Sequence, residues 1–393
     1  MIILILIKSG ASALGISMLI NEYMGKAIKC RDMTALAEHR RLLQRSPRLH
    51  YLFFELTDSC NMRCLHCGSS CGEGQVRFLS EDKVKEVLEC TAKAYQAERI
   101  MVCFTGGEPM LHPRFFEMAE YASRLGFVVG LTTNGTLITG DTAERIVRSG
   151  IRSVSVSMDG EEHSHDMLRA VPGAFERAAS GIRELTEYSR GKVSVQITTV
   201  FHKMNLDQFN DMLGLAEKLG VSAWRPINVE PIGRALEHPE LLLDNDDYVR
   251  LLKMIKAVRH DPQIAMNVTY GCSHYLTLEY EREVRDAYFI CGAGIMVAGI
   301  LVNGDIYGCL DIERRPELVQ GNIYRDDFVQ VWENGFAPYR EDRSARCSAC
   351  AECSERLFCE GDSMHTWDFD ANEPRICVKE ILRKEGNNSN HEP

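Results

Sequence analysis

Between Leu52 and about His260 the chain alternates short apolar or β-branched runs with longer stretches whose apolar positions recur at helical period. The runs Leu52–Leu56, Ile100–Phe104, Val128–Thr132, Val154–Met158, Val193–Val200 and Ala223–Asn228 predict strands. Between them Glu81–Ala97, Pro113–Leu125, Thr142–Arg148 and Leu206–Leu219 predict helices, with Ser80 as the N-cap of the first. Such a succession implies parallel strands joined by right-handed crossovers. Six units are too few to close an eight-stranded barrel, but they fit an open one. The expected fold is therefore α/β, a partial TIM-like (β/α)6 barrel over residues 51–270, with its chemistry on the loops after the strands.

The pattern changes after about Asp261. Strand–helix alternation stops, and Cys272, Cys291, Cys309, Cys347, Cys350, Cys353, Cys359 and Cys377 crowd the remaining chain. Asn303-Gly304-Asp305 between the apolar runs Ile295–Val302 and Ile306–Leu310 predicts a hairpin. Residues 271–383 read as a separate, small, loop-rich, cysteine-dense module held by something other than a large core. Residues 384–393 are polar and read as a disordered tail. Residues 1–50 form an N-terminal extension. Its first apolar stretch is interrupted by Lys8 and lacks a preceding basic region, so membrane anchoring is not expected and the cytoplasm is.

Composition narrows the function. With 45% hydrophobic and 26% charged residues the chain is an ordinary globular protein, and a net charge of −11 argues against nucleic-acid binding. The basic group His39, Arg40, Arg41 and Arg45 reads as a solvated helix face. Fifteen cysteines in a long, core-rich chain point to metal or cluster ligation rather than to a disulfide framework, and the odd number leaves at least one thiol unpaired.

Cys60, Cys64 and Cys67 directly follow the first predicted strand with spacing C-x3-C-x2-C. Three thiolates within eight residues can wrap one iron–sulfur cubane and leave its fourth iron open to an exogenous chelate. A zinc knuckle would need a fourth ligand, and Cys71, though close, reads as non-ligating. At the second strand end stands Thr105-Gly106-Gly107-Glu108-Pro109. Thr133-Asn134-Gly135-Thr136 follows the third strand and Ser157-Met158-Asp159-Gly160 the fourth, with His165, Asp166 and Arg169 beyond.

In this order the motifs resemble those of the radical SAM superfamily over roughly Tyr51 to Asn228. The resemblance implies a [4Fe–4S] cluster on Cys60, Cys64 and Cys67, with S-adenosylmethionine (SAM) on its open iron. It implies SAM contacts from Gly106, Gly107, Glu108, Pro109, Asn134, Ser157 and Arg169, with Glu108 accepting from the SAM ammonium and Arg169 holding the SAM carboxylate. Reductive cleavage of SAM to methionine and a 5′-deoxyadenosyl radical, followed by hydrogen abstraction, is the implied reaction.

The C-terminal part resembles the SPASM domain, which carries auxiliary clusters in peptide-modifying members. Cys291 opens the pattern, Gly304-x4-Cys309 follows, then Cys350-x2-Cys353-x5-Cys359, and Cys377 closes it. Ser363 stands where the pattern has a further cysteine, and Cys347 or Cys272 is available to compensate. One or two auxiliary clusters are implied; a zinc ribbon on Cys347, Cys350 and Cys353 is the competing reading. A peptide or protein side chain is the expected substrate and a flavodoxin- or ferredoxin-type protein the electron donor. A tetrapyrrole or other small molecule is the alternative substrate, and a non-enzymatic iron–sulfur or zinc module the alternative class. Sulfatase maturases place a catalytic Asp immediately after the G-x4-C cysteine. Here that position is Leu310, with Asp311 one further on, which argues against that subgroup and leaves Asp311 a catalytic candidate.

Overall fold

The computed structural model describes residues 30–389, apart from 73–75 and 272. The apolar stretch at 1–20 and Cys272 lie outside the described residues. Among those described, no helix is long and apolar enough to cross a membrane.

Helix α1 (Cys30–Arg45) precedes β1 (Tyr51–Glu55), and six strand–helix units follow. They comprise α2 (Glu81–Ala94), β2 (Met101–Thr105), α3 (Phe115–Arg124), β3 (Val128–Thr133), α4 (Gly140–Arg148) and β4 (Ile151–Ser157). Two helices, α5 (Glu162–Arg169) and α6 (Ala174–Ser189), lead to β5 (Ser194–Phe201), α7 (Phe209–Lys218), β6 (Ala223–Asn228) and α8 (Asn245–His260). Strands β1 to β6 pair in parallel in sequence order, and the two-residue β7 (Asn267–Val268) extends the far edge. The sheet is open, as the six predicted units require.

Local chemistry explains the elements. Ser80 accepts from Lys83 N at the start of α2, and Glu81 and Asp82 complement the positive end of the helix. Val84, Val87, Leu88 and Thr91 recur at helical spacing and form its buried face. Within β6, Trp224 is fully buried; its ring packs on Phe209 at 4.9 Å and its indole N–H donates to Thr199 Oγ1.

The C-terminal part departs from expectation. Its predicted hairpin, β8 (Val297–Ile300) and β9 (Asp305–Tyr307), joins the barrel sheet, because β8 pairs in parallel with β1. Ala298, Ile300, Ile306, Phe328 and Trp332 belong to the same apolar core as Leu52 and Phe54 of β1. The module therefore shares the barrel's core instead of standing apart on its cysteines. The last helix runs from Val378 to Ser389, through part of the stretch expected to be disordered; Lys253 of α8 pairs with Glu385 there.

Arg40 is a second correction. It is buried, pairs with Glu360 at 2.9 Å and donates to the Phe358 carbonyl at 2.9 Å, so it is no solvated charge. The face of α1 carrying Ala37, Arg40 and Leu43 packs inward, and the carboxylate at Glu360 makes burial of the guanidinium tolerable.

Candidate active site

All the strand-end motifs converge on the loop after β1. Cys64 is buried and Cys60 and Cys67 half-buried, and all three are free thiols packed beside Met62, Val171 and Ala174. Burial pushes the Cys60 thiol up to about 11 and raises Cys64, the latter against the pull of Arg169. Cys67 is held low, chiefly by a hydrogen bond from the thiol of Cys71, which is itself raised. Cys71 is buried beside Cys67.

The Gly106–Gly107 backbone lies directly against this loop. A Cβ on Gly106 would fall 2.4 Å from the Thr57 carbonyl oxygen, and one on Gly107 2.2 Å from that of Ser59. Gly107 N donates to Thr57 O at 2.7 Å and Glu108 N to Ser59 O at 2.9 Å. Only glycine permits this approach.

The Glu108 side chain turns inward. Its carboxylate accepts from Thr133 Oγ1 at 2.9 Å, Asn134 N at 2.9 Å and Met110 N at 3.2 Å, and it is fully buried. Burial outweighs these bonds and raises its carboxyl to about 7. Through these bonds Glu108 ties the second strand-end loop to the third. Asn134 continues the tie by donating to Asn61 Oδ1 of the cysteine loop at 2.7 Å. Pro109 is buried at the first position of a short 3-10 turn. Ser157, half-buried, ends β4 at the same rim.

Arg169 reaches the cysteine loop from α5. Its Nε donates to Asp159 Oδ2 at 2.7 Å and one terminal nitrogen points at Cys64 Sγ at 3.5 Å. Burial alone would raise the Asp159 carboxyl; the Arg169 guanidinium beside it holds it down to about 2. Burial lowers His66 to about 3 and His165 and His202 to about 4, which keeps these rings neutral. His66 Nδ1, His165 Nε2 and His202 Nε2 are buried and lack a hydrogen-bond partner among the described residues.

Sequence reasoning missed Gly233 and Arg234, beyond β6. Arg234 is buried and donates to the carbonyls of Cys64 and Cys71, both at 2.8 Å, while its own N–H donates to Cys67 O at 3.0 Å. Gly233 has φ +55, and a Cβ there would meet Cys67 O at 2.4 Å. No motif announces this brace; an Ile-Gly-Arg run reads as an ordinary turn. Taken together, three thiols on one loop, a glycine cradle and orphaned ring nitrogens beside them fit a cluster with an open coordination site.

In the C-terminal part, Cys347, Cys350, Cys353, Cys359 and Cys377 come together. Cys347 Sγ accepts from Cys350 N at 3.3 Å, Cys359 Sγ from Asp362 N at 3.1 Å, and Cys353 Sγ from Lys379 Nζ at 2.8 Å. Cys350 adjoins Cys353 and Cys377, and Cys377 adjoins Cys359. Buried donors aimed at thiols suit thiolate ligands. Cys291 lies near Arg343, and Cys309 lies beside His365 and Asp311. Ser363 is fully buried with its hydroxyl 3.3 Å from Thr366 Oγ1, so a hydroxyl replaces the pattern's thiol.

A sequence profile for the radical SAM superfamily matches residues 54–216, and one for the SPASM iron–sulfur cluster-binding domain matches 291–354. The AdoMet-dependent heme synthase of Methanosarcina barkeri is 30% identical over 333 residues, spanning 80% of this chain and 91% of that protein. The mycofactocin maturase MftC of Mycolicibacterium smegmatis is 30% identical over 321 residues, spanning 80% and 77%. Two solved structures share the fold. Streptococcus suis SuiB bound to S-adenosylmethionine superposes with TM-score 0.68 at 17% identity, covering 86% of this chain and 79% of that one. The anSMEcpe enzyme with bound AdoMet and Cp18Cys peptide gives TM-score 0.67 at 19% identity, covering 86% and 95%. The chain belongs to the radical SAM superfamily, as an enzyme with a C-terminal SPASM domain that uses SAM and iron–sulfur clusters.

Proposed function

We propose that Cys60, Cys64 and Cys67 hold the [4Fe–4S] cluster and that the enzyme modifies a peptide or protein side chain by hydrogen abstraction. The observation that carries the site is the glycine cradle pressed on the three-thiol loop. When bound there, the cluster supplies the electron that splits SAM into methionine and a 5′-deoxyadenosyl radical. Gly106 and Gly107 set how closely backbone approaches the ligand. Glu108 and Asn134 lock the neighbouring loops, and Arg169 screens the charge on the Cys64 sulfur while Asp159 fixes its fork. Ser157, half-buried at the rim, is assigned a SAM contact, as are the orphaned ring nitrogens of His66 and His202. Four of the five thiols at Cys347, Cys350, Cys353, Cys359 and Cys377 supply the ligands of an auxiliary cluster, with Lys379 neutralising part of their charge. A small flavodoxin- or ferredoxin-type protein delivers the low-potential electron.

The peptide reading is supported by MftC, named a maturase, at 30% identity. A second reading, a tetrapyrrole substrate, is favoured by the heme synthase that this chain matches over 91% of that protein's length. One assay separates them: anaerobic, cluster-loaded enzyme with SAM and a reductant is given either a short peptide encoded beside its gene or a propionate-bearing tetrapyrrole. The peptide reading requires 5′-deoxyadenosine formation coupled to a mass change in the peptide. Turnover of the tetrapyrrole with an inert peptide would replace it with the second reading.

A further inference from the structure

Cys309, Asp311 and His365 come together where the family pattern is broken. One ligand atom from each lies within 4.8 Å of the others. Cys309 is half-buried, His365 is buried and Asp311 is exposed, so the group opens to solvent on the carboxylate side. None of the three is among the five cysteines Cys347, Cys350, Cys353, Cys359 and Cys377.

The spacing discriminates between two kinds of occupant. Ligands to different irons of one cluster are held apart by the cluster between them. Ligands to a single ion are separated by one edge of its coordination polyhedron. With a thiolate about 2.3 Å and an imidazole about 2.0–2.1 Å from one tetrahedral ion, sulfur and nitrogen lie about 3.5 Å apart. Cys309 Sγ and His365 Nε2 are 3.5 Å apart. The residue that would complete a four-thiol set, Ser363, is buried and turned toward Thr366. Histidine two residues further on faces the sulfur instead.

We infer that Cys309, Asp311 and His365 form a mononuclear site for one divalent transition-metal ion of zinc's class, in place of a second auxiliary cluster. A thiolate, an imidazole and a carboxylate are the donors that Zn2+ or Fe2+ accept, and three protein ligands leave one position for water. The ion fastens the loop after β9 to the segment that follows Cys359, a link across 56 residues of chain. This assignment is independent of the substrate and of the SAM site.

The test uses full-length protein, anaerobically loaded with iron and sulfide, titrated with Co2+ as a spectroscopic probe. The site requires one cobalt per chain beyond the iron content, with sulfur-to-cobalt charge-transfer absorption and tetrahedral ligand-field bands. Cys309→Ala and His365→Ala should each weaken cobalt binding by at least about tenfold, with labile sulfide unchanged. Asp311→Asn, at the exposed edge, keeps the fold whatever the buried variants do and should also weaken binding. Wild-type protein taking up no additional cobalt would overturn the assignment by leaving only a thiol–imidazole hydrogen bond. Loss of iron together with an equal amount of sulfide in Cys309→Ala would overturn it in favour of a cluster.

Discussion

Gly107→Ala isolates the close approach on which the site depends. The new Cβ would stand 2.2 Å from Ser59 O, 2.7 Å from Ser59 C and 3.0 Å from Cys60 Cβ. Those contacts are backbone and the root of a ligating side chain, so no flexible tip can yield. Restoring ordinary van der Waals separation moves the Ser59–Cys60 peptide by roughly 1 Å. Overpacking of this kind costs about 1–3 kcal/mol, within the stability of a folded domain, so the variant still folds. Displacement of a reacting group by about 1 Å costs on the order of a hundredfold in rate. The assay is anaerobic formation of 5′-deoxyadenosine from SAM, with iron and sulfide per chain and thermal melting measured on the same samples. Folded protein with its rate down about a hundredfold is the expected result. Gly214→Ala is the control, because nothing lies within 4 Å of a Cβ there. Full iron content and an unchanged rate in Gly107→Ala would refute the cradle.

Arg234→Ala leaves the carbonyls of Cys64 and Cys71 buried without this donor, a penalty of about 1–3 kcal/mol each, so iron should be lost to a chelator faster than from wild type. Unchanged retention would show that the brace is idle. Cys60→Ala should abolish SAM cleavage while Cys350→Ala spares uncoupled cleavage; equal, complete loss in both would refute the division between the two clusters. Buried His274 sits 3.6 Å from Glu230 and 3.0 Å from Asp362. Burial opposes its charge, but the two carboxylates win and raise its pKa above the usual 6.5. A raised imidazole stabilises fully below its unfolded value and loses that contribution as pH climbs through the folded one. Melting temperature should therefore fall from pH 6.5 upward, and a flat profile there would contradict the pairing.

The strands were legible because each carries a short apolar or β-branched run, and all six predicted runs overlap observed strands. Boundaries slipped by up to three residues, as at β4, which begins at Ile151 because Arg152 and Ser153 break the apolar pattern there. The cysteine loop and the glycine pair were legible because close backbone approach leaves a compositional mark. Roles that depend on closure of the chain left none. Arg40 reads as a surface charge until a carboxylate 320 positions away arrives beside it. The tie that Glu108 makes to Thr133 and Asn134, across the ends of two strands, likewise has no mark in the sequence. His365 stands outside the family spacing altogether, and only the fold brings it to Cys309.

The pairing of β8 with β1 has a kinetic meaning. The strand that delivers the three-thiol loop is hydrogen-bonded, residue by residue from Tyr51 to Phe54, to the strand that opens the cysteine-dense part. Two halves joined by a flexible tether would exchange electrons at a rate set by how often they met. Halves that share a sheet and a core would hold redox centres bound to them at one fixed separation, and transfer between such centres would not wait on diffusion.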